Sequence, residues 1–320
     1  MLFGCIESSY ADIRDTAFYL LQEHFSWPLI LLENDSTGKA SASILLQKAL
    51  TLVRSPKVQD CESAAVIFRL IQRKYVSELE WDCNFLTVEV KPSAILASKS
   101  SSSGKLFSVV QMLQQLLAEL KMHVKAAQDD MKFASRNAPG HGISLAMAQS
   151  VEETFDDIKD AELCKLRGVE CWRQLQTVLY DTVDTAVHII TDMMDTLSGN
   201  YGSTHAIGGA SFADIGQALD EILSFSMDVS DEETKEPFSV QSHKDIVISC
   251  CWLRIKCACQ LLAVIFEKNT VKLEHMSMAT LLDDESLKLV AETACKVILQ
   301  CRHQVLLYSI LFILIICHLF

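Results

Sequence analysis

Apolar residues recur every three or four positions along most of the chain, which is the period of an amphipathic α-helix. The pattern is longest over residues 106–133 and 168–197, and shorter versions cover residues 10–25, 41–53 and 62–75. We therefore predict an all-α protein. Helices of this size, separated by short polar turns, favour a HEAT/armadillo-like α-solenoid of stacked helical hairpins.

The apolar stripe of each amphipathic helix is predicted to face the core. Residues 244–266 are apolar on nearly every side, which predicts a central helix, and further helices are expected from near Ile143 and from about Asp283 to Cys301. The predicted core positions are Ile13, Ala17, Leu20 and Leu21; Ala64, Phe68, Ile71 and Tyr75; Leu106, Val109, Val110, Leu113, Leu116, Leu117, Leu120 and Val124; and Leu175, Val178, Leu179, Val183, Ala186, Ile190 and Met193.

One stretch, from Trp81 to Lys105, interrupts the helical pattern. Pro92 and the serine run that ends in Gly104 predict a flexible loop, although a short strand near Thr87 is an alternative. We therefore divide the chain into four parts. They are helical repeats over residues 1–80, a loop or linker over 81–105, a helical solenoid over 106–303 and an apolar tail over 304–320.

Composition narrows the possible functions. Glycine and proline are scarce, at 11 and 5 in 320 residues, so an all-β fold rich in turns is excluded. The formal charge of −13 makes an autonomous nucleic-acid binder a poor candidate, because phosphates are bound chiefly by lysine and arginine. None of the 12 cysteines forms a C-x-x-C pair, and the closest pairs, Cys250 with Cys251 and Cys257 with Cys259, are predicted to be small buried hydrophobes. A reducing compartment, the cytoplasm or the nucleus, fits this usage best.

Candidate chemical groups are few. The helix over residues 168–197 has one polar face that could bind metal or transfer protons. Because this face lies opposite the apolar stripe, we predict that it is an ordinary solvated surface. Gly208 and Gly209 match no phosphate-binding loop, and no nucleophile elbow is present. The polar face consists of Asp181, Asp184, His188, Asp192 and Asp195.

Two groups of cations could contact phosphate. Solvated helix faces normally carry such residues, so we predict ordinary surface positions and keep RNA contact as an alternative. The groups are Arg69, Arg73 and Lys74 on one helix, and Lys121, Lys125, Lys132 and Arg136 on another.

Three segments, in order along the chain, resemble the thyroid adenoma-associated protein family. Residues 137–146 are similar to its proline–x–histidine–glycine turn and the helix that follows. Residues 247–256 resemble its cysteine–tryptophan stretch with a lysine one turn later, and residues 300–303 resemble the arginine–histidine that closes the block. The matching positions are Pro139, His141, Gly142, Cys251, Trp252, Lys256, Arg302 and His303.

The resemblance implies a large helical solenoid, and residues 12–20 are also similar to a HEAT-type repeat helix. The fungal member of the family is the non-catalytic subunit of a tRNA ribose 2′-O-methyltransferase that acts in the anticodon loop. The resemblance therefore implies a cytoplasmic regulatory subunit that works through a methyltransferase catalytic subunit and reaches tRNA through that complex. We expect no enzymatic activity, no cofactor and no metal, and we expect the motif positions to be structural or partner-facing.

The apolar end of the chain departs from the family pattern. Family members are much longer, and after His303 this chain runs into the apolar residues 305–320, so we expect a middle piece with a replaced end. As a helix this end would span about 24 Å, against about 30 Å of bilayer hydrocarbon. A buried helix or a replaced end is favoured. Two alternatives are a tail-anchored interaction protein of the endoplasmic reticulum membrane and a truncated fragment without independent function.

Overall fold

Helices account for most of the described chain. The structure is a computed structural model that describes residues 2–23, 36–92, 102–157, 170–197, 240–268, 270–271 and 279–300. The prediction of a mainly helical protein is confirmed. The helices are α1 (Leu2–Cys5), α2 (Ala11–Glu23), α3 (Ser36–Leu52), α4 (Val58–Ile71), α5 (Ser102–Asp129), α6 (Met131–Asn137), α7 (His141–Asp157), α8 (Glu170–Leu197), α9 (Val240–Lys268) and α10 (Asp284–Gln300), with a π-helical turn at Gln72–Ser77 directly after α4.

Helix α7 is a central element and packs against α4, α5 and α9. It is buried on nearly every side, and small residues such as Gly142, Ala146 and Ser150 allow its neighbours to approach closely. Contacts then pass from helix to helix: α3 packs on α4, α4 on α7, α7 on α9, α9 on α8, and α8 on α10. Most of the buried apolar side chains form one continuous cluster from Ile6 to Val297.

Most predicted core stripes are buried. On α4, α5 and α8 every predicted position is buried or packs against the core cluster. The prediction was wrong for Ile13, which is 44% exposed, whereas its neighbour Arg14 is buried. Arg14 donates to the Ser8 carbonyl at 2.6 Å and pairs with Glu62 of α4. Ala17 and Leu21 are buried as predicted, Leu20 is half-buried, and Phe18 is buried as well.

Within the range 81–105, where the sequence predicted a loop, the described residues 81–92 and 102–105 include two strands and the start of a helix. Strand β1 (Trp81–Asn84) pairs antiparallel with β2 (Glu89–Pro92), and α5 begins at Ser102. Pro92 is compatible with β2 because it is the last residue of a strand at the edge of a two-stranded sheet. A second short pair, β3 (Thr270–Val271) with β4 (Ala279–Thr280), follows α9.

Side chains from two helices hold the outer edges of this hairpin. The side-chain oxygen of Gln115 in α5 accepts from the Phe85 amide at 2.6 Å, and its NH₂ group donates to the Cys83 carbonyl. On the other edge, the Val90 amide donates to the hydroxyl of Ser43 in α3 at 3.2 Å. The hairpin is therefore anchored to the helices through its own backbone groups.

The long helix predicted over residues 106–133 is divided in two. Helix α5 ends at Asp129, and the Asp130 carboxylate caps α6 by accepting from the amides of Lys132 and Phe133 at 2.9 and 3.1 Å. An N-terminal cap of this type satisfies amides that have no partner inside the helix. The cap starts a new helix where the sequence pattern alone had suggested continuation.

One helix in the described part, residues 246–268 within α9, is long and apolar enough to cross a membrane. Most of it is buried among the other helices, as a core helix would be. Residues 305–320 and the glycine pair Gly208 and Gly209 lie outside the described residues.

Candidate functional site: the junction around Arg254

Arg254 is a buried cation in the most apolar helix of the fold. It is 2% exposed, and its guanidinium donates from Nε to the Pro139 carbonyl at 2.5 Å and from Nη2 to the Ala138 carbonyl at 2.8 Å. Nη2 also donates to the His123 carbonyl of α5 at 3.0 Å. Carbonyls at the end of a helix lack intrahelical donors, and a cation placed there is stabilised. Arg254 thus ties α9 to the end of α6 and to α5.

The turn between α6 and α7 is shaped to receive this guanidinium. Gly140 has a φ of +78°, and a Cβ added there would lie only 3.0 Å from Nη2 of Arg254. The position therefore favours glycine both for its left-handed backbone and for its lack of a side chain. The Cys250 thiol, one turn before Arg254 on α9, also faces the turn and donates to the Pro139 carbonyl at 3.6 Å.

His141 and Gly142 begin α7 on the other side of the turn. His141 is buried, and its Nε2 lies 3.4 Å from the Cys61 thiol of α4. The Cys61 thiol also donates to the Ser55 carbonyl at 3.2 Å. A Cβ on Gly142 would lie 2.6 Å from both the Cys61 sulfur and the Val53 carbonyl oxygen, so no side chain fits there.

The electrostatics of the junction make its titratable groups poor reactants. Burial, with help from the nearby Arg254 charge, lowers the pKa of His141 to about 3, so its imidazole is neutral near neutral pH. Burial raises the pKa of Cys61, and it raises the pKa of Cys251 and Cys257 to about 12. Thiols that stay protonated are weak nucleophiles and weak metal ligands. The arrangement is suited to fastening helices together.

The structure brings some of the motif positions together and leaves others apart. Pro139 accepts hydrogen bonds from Arg254 and Cys250 of α9, which are neighbours of the expected motif positions, whereas His141 and Gly142 lie against Cys61 of α4. On α9 itself Cys251 is fully buried, whereas Trp252 and Lys256 are half-buried. Arg302 and His303 lie outside the described residues.

Sequence reasoning missed Arg254 and Cys61 as members of this junction. Arg254 interrupts the stretch of residues 244–266 that is otherwise apolar on nearly every side. That interruption was the available signal, because a charged side chain in a buried helix needs partners. Cys61 gave no comparable signal, since its partners depend on contacts between residues far apart in sequence.

The polar face of α8 makes contacts with α5. Asp181 pairs with Lys121 at 2.8 Å, and the Gln128 amide lies 2.8 Å from Nε2 of His188 and donates to Asp192 at 3.0 Å. Asp184 and Asp195 are exposed on the same face. Within the described residues, no group of three or more His, Cys, Asp or Glu side chains could hold a metal ion.

The two groups of cations differ in how far their charges are already paired with carboxylates of the protein. Arg69 and Arg73 both bind the buried carboxylate of Glu153 in α7, at 2.6 and 2.7 Å, and Lys74 pairs with Glu78 at 2.9 Å. The first group is therefore largely neutralised by its own fold. In the second group Lys121 is paired with α8, whereas Lys125, Lys132 and Arg136 have exposed side chains.

These observations define a mostly α-helical protein whose central helices are joined by a buried arginine. Residues 170–305 match the family model described as THADA/TRM732, DUF2428, which is less than half of the 320-residue chain. This match supports the assignment of residues 170–305 to the THADA/TRM732 family and confirms the resemblance found in the sequence. The match includes α8, α9 and α10, and therefore Arg254, while Pro139, His141 and Gly142 precede it. No curated protein and no solved structure matches the chain.

The match to this family is consistent with a regulatory role connected with tRNA modification. It also implies, in general terms, association with a tRNA methyltransferase complex.

Proposed function

We propose that this chain is a non-catalytic scaffold that supports ribose 2′-O-methylation in the tRNA anticodon loop through a methyltransferase partner. The observation that carries the proposal is the family match over residues 170–305, which covers three of the helices that form the core. In this proposal the partner supplies the cofactor site and the chemistry, and the scaffold presents tRNA to it.

The order of helix packing supports a HEAT/armadillo-like solenoid. Contacts pass from α3 to α4, α7, α9, α8 and α10, so each helix along this series packs against the next one. Repeat proteins are built from such neighbour contacts, and their stacked helices offer extended surfaces for partners. Arg254 supports this architecture because its hydrogen bonds join α9 to the end of α6 and to α5.

A regulatory role also agrees with the chemistry of the buried groups. A general base needs a pKa near the working pH and access to the reacting proton. His141 meets neither condition, since it is buried and its pKa is about 3. We propose the cytoplasm as the site of action, and membrane attachment through residues 305–320 remains the alternative.

The test is recovery of the partner and its activity. The tagged chain would be produced in cells that lack their own family member, and co-purifying proteins would be identified by mass spectrometry. Ribose methylation at anticodon-loop positions would be measured in the same cells. We expect a ribose 2′-O-methyltransferase to be recovered and methylation to be restored.

Two further versions sharpen this test. A chain ending at Gln304 should behave like the full chain, because we assign no role to residues 305–320. A chain lacking residues 240–303 should lose the partner, because α9 and α10 fall within the family match. If the full chain recovers no methyltransferase under gentle conditions, the proposed function is wrong. If only the chain ending at Gln304 fails, the tail contributes to function.

A further inference from the structure

Many of the cations in the described residues are used in ion pairs within the protein. Arg14, Arg54 and Lys268 pair with carboxylates of distant helices, and Arg69 and Arg73 share one buried carboxylate. Such pairs hold helices together and leave little net charge for a ligand. A cation without a carboxylate partner, in contrast, keeps its charge available for a ligand, even though the formal charge of the chain is −13.

Two such cations lie close together in the chain at the end of α5 and on α6. Lys125 and Lys132 have exposed side chains, and neither has an ion pair with any side chain in the part of the chain that the structure describes. Phe133, adjacent to Lys132, is 56% exposed. We call Lys125, Lys132 and Phe133 the α6 patch.

The backbone that carries this patch is held at both ends of α6. Its first amides donate to the Asp130 carboxylate, and the carbonyls just after its end accept from Arg254. The opposite side of the short helix is anchored by the buried residues Ala134 and Ser135. Phe133 is therefore presented to solvent by a fixed helix, which lowers the ordering cost of binding.

We propose that the α6 patch binds a single-stranded RNA loop, with an unstacked base on Phe133 and neighbouring phosphates on Lys125 and Lys132. Aromatic side chains bind bases of any sequence by stacking, and lysines bind the backbone by releasing counterions. The anticodon loop has this chemistry, so the inference rests on the proposed function. The excess negative charge elsewhere makes the patch an accessory contact within the methyltransferase complex.

The test measures RNA binding and partner recovery on the same preparations. The full chain, purified together with its captured partner, would be titrated into a fluorescein-labelled anticodon stem-loop RNA, with anisotropy as the readout. We expect Phe133→Ala to weaken binding roughly tenfold. The double variant Lys125→Gln/Lys132→Gln should lower the slope of log K against log salt by about 1.4.

Matched variants separate the effect of aromatic stacking on RNA binding from that of an apolar side chain. They also separate the effect of charge at the α6 patch from that of the overall charge of the protein. Phe133→Leu keeps an apolar side chain but removes the aromatic face, so it should bind RNA as weakly as Phe133→Ala. Lys288→Gln/Lys296→Gln removes two exposed lysines from α10 and should leave RNA binding unchanged. Asp129→Asn, beside the patch on α5, should strengthen binding slightly by removing an exposed negative charge.

The outcomes are distinguishable. Reduced RNA binding with normal partner recovery and an unchanged melting temperature supports the α6 patch. Unchanged RNA binding in the patch variants, or no RNA binding by the parent complex, overturns this inference and leaves the proposed function standing if the partner is recovered. Loss of RNA binding with the α10 control variant would also overturn it, because the effect would then follow overall charge.

Discussion

From the contacts at the junction, we predict that Arg254 contributes a large part of the free energy of unfolding of this fold. Replacing Arg254 with Met keeps most of the side-chain volume but removes every donor to the Pro139, Ala138 and His123 carbonyls. The Pro139 carbonyl keeps the weaker thiol donor of Cys250. Most of the expected loss in the free energy of unfolding therefore comes from buried carbonyls that no longer have a charged hydrogen-bond donor.

The magnitude follows from these contacts. A buried group that loses its partner costs about 1–3 kcal/mol, and removing the buried charge itself recovers some desolvation energy. We expect the free energy of unfolding of Arg254→Met to fall by about 3 kcal/mol. With an m-value of about 3 kcal/mol per M, the urea midpoint would fall by about 1 M.

The assay is urea unfolding followed by far-ultraviolet circular dichroism. Arg254→Lys provides the graded comparison, since an ammonium keeps the charge but lacks the planar fork that reaches both α6 and α5. It should fall between the parent and Arg254→Met. Arg173→Met, on the exposed face of α8, is the matched control and should change stability by less than about 0.5 kcal/mol. A midpoint for Arg254→Met equal to that of the control would refute the role assigned to the junction.

Three other changes test neighbouring features. Gly142→Ala should lower the free energy of unfolding by about 1–3 kcal/mol or more, measured by the same urea titration, because its Cβ would lie 2.6 Å from the Cys61 sulfur. Glu153→Gln should raise the susceptibility of α4 to proteolysis and lower the melting temperature, because Arg69 and Arg73 lose the buried carboxylate that they share. An unchanged melting temperature would contradict this prediction. Because the folded-state pKa of His141 is lowered to about 3, the unfolded chain binds the extra proton as pH falls below about 6.5, so stability should decline between about pH 6.5 and 3. His141→Gln should flatten that decline in a pH series of urea midpoints, and an equally steep decline in the variant would assign it to other groups.

The helices could be predicted because their apolar periodicity is local information. The stripes of α4, α5 and α8 needed only spacing along the chain to be identified. Arg14 and Ile13 show the limit of this local information. Hydrophobicity favoured Ile13 for the core, but Arg14, which pairs with Glu62, is the buried residue. That pairing joins residues 48 positions apart, and nothing in the local pattern indicates it.

The junction was less predictable for the same reason. Arg254 and Pro139 are separated by 115 positions, so their contact depends on how α9 packs against the α6–α7 turn. The resemblance to the family directed attention to both segments but gave no reason for them to meet. The break at Asp130 is a different case, because aspartate within a helix-favouring stretch is compatible with both continuation and a new cap.

The β1–β2 hairpin has a consequence for how the protein behaves at high concentration. A strand edge with free amides and carbonyls can pair with the same edge of another molecule and so begin aggregation. Here the Gln115 side chain bonds the Phe85 amide and the Cys83 carbonyl on one edge, as the backbone of a neighbouring strand would. On the other edge the Ser43 hydroxyl accepts a hydrogen bond from the Val90 amide. Two helix side chains thus prevent a small sheet inside a helical protein from serving as a template for intermolecular β-pairing.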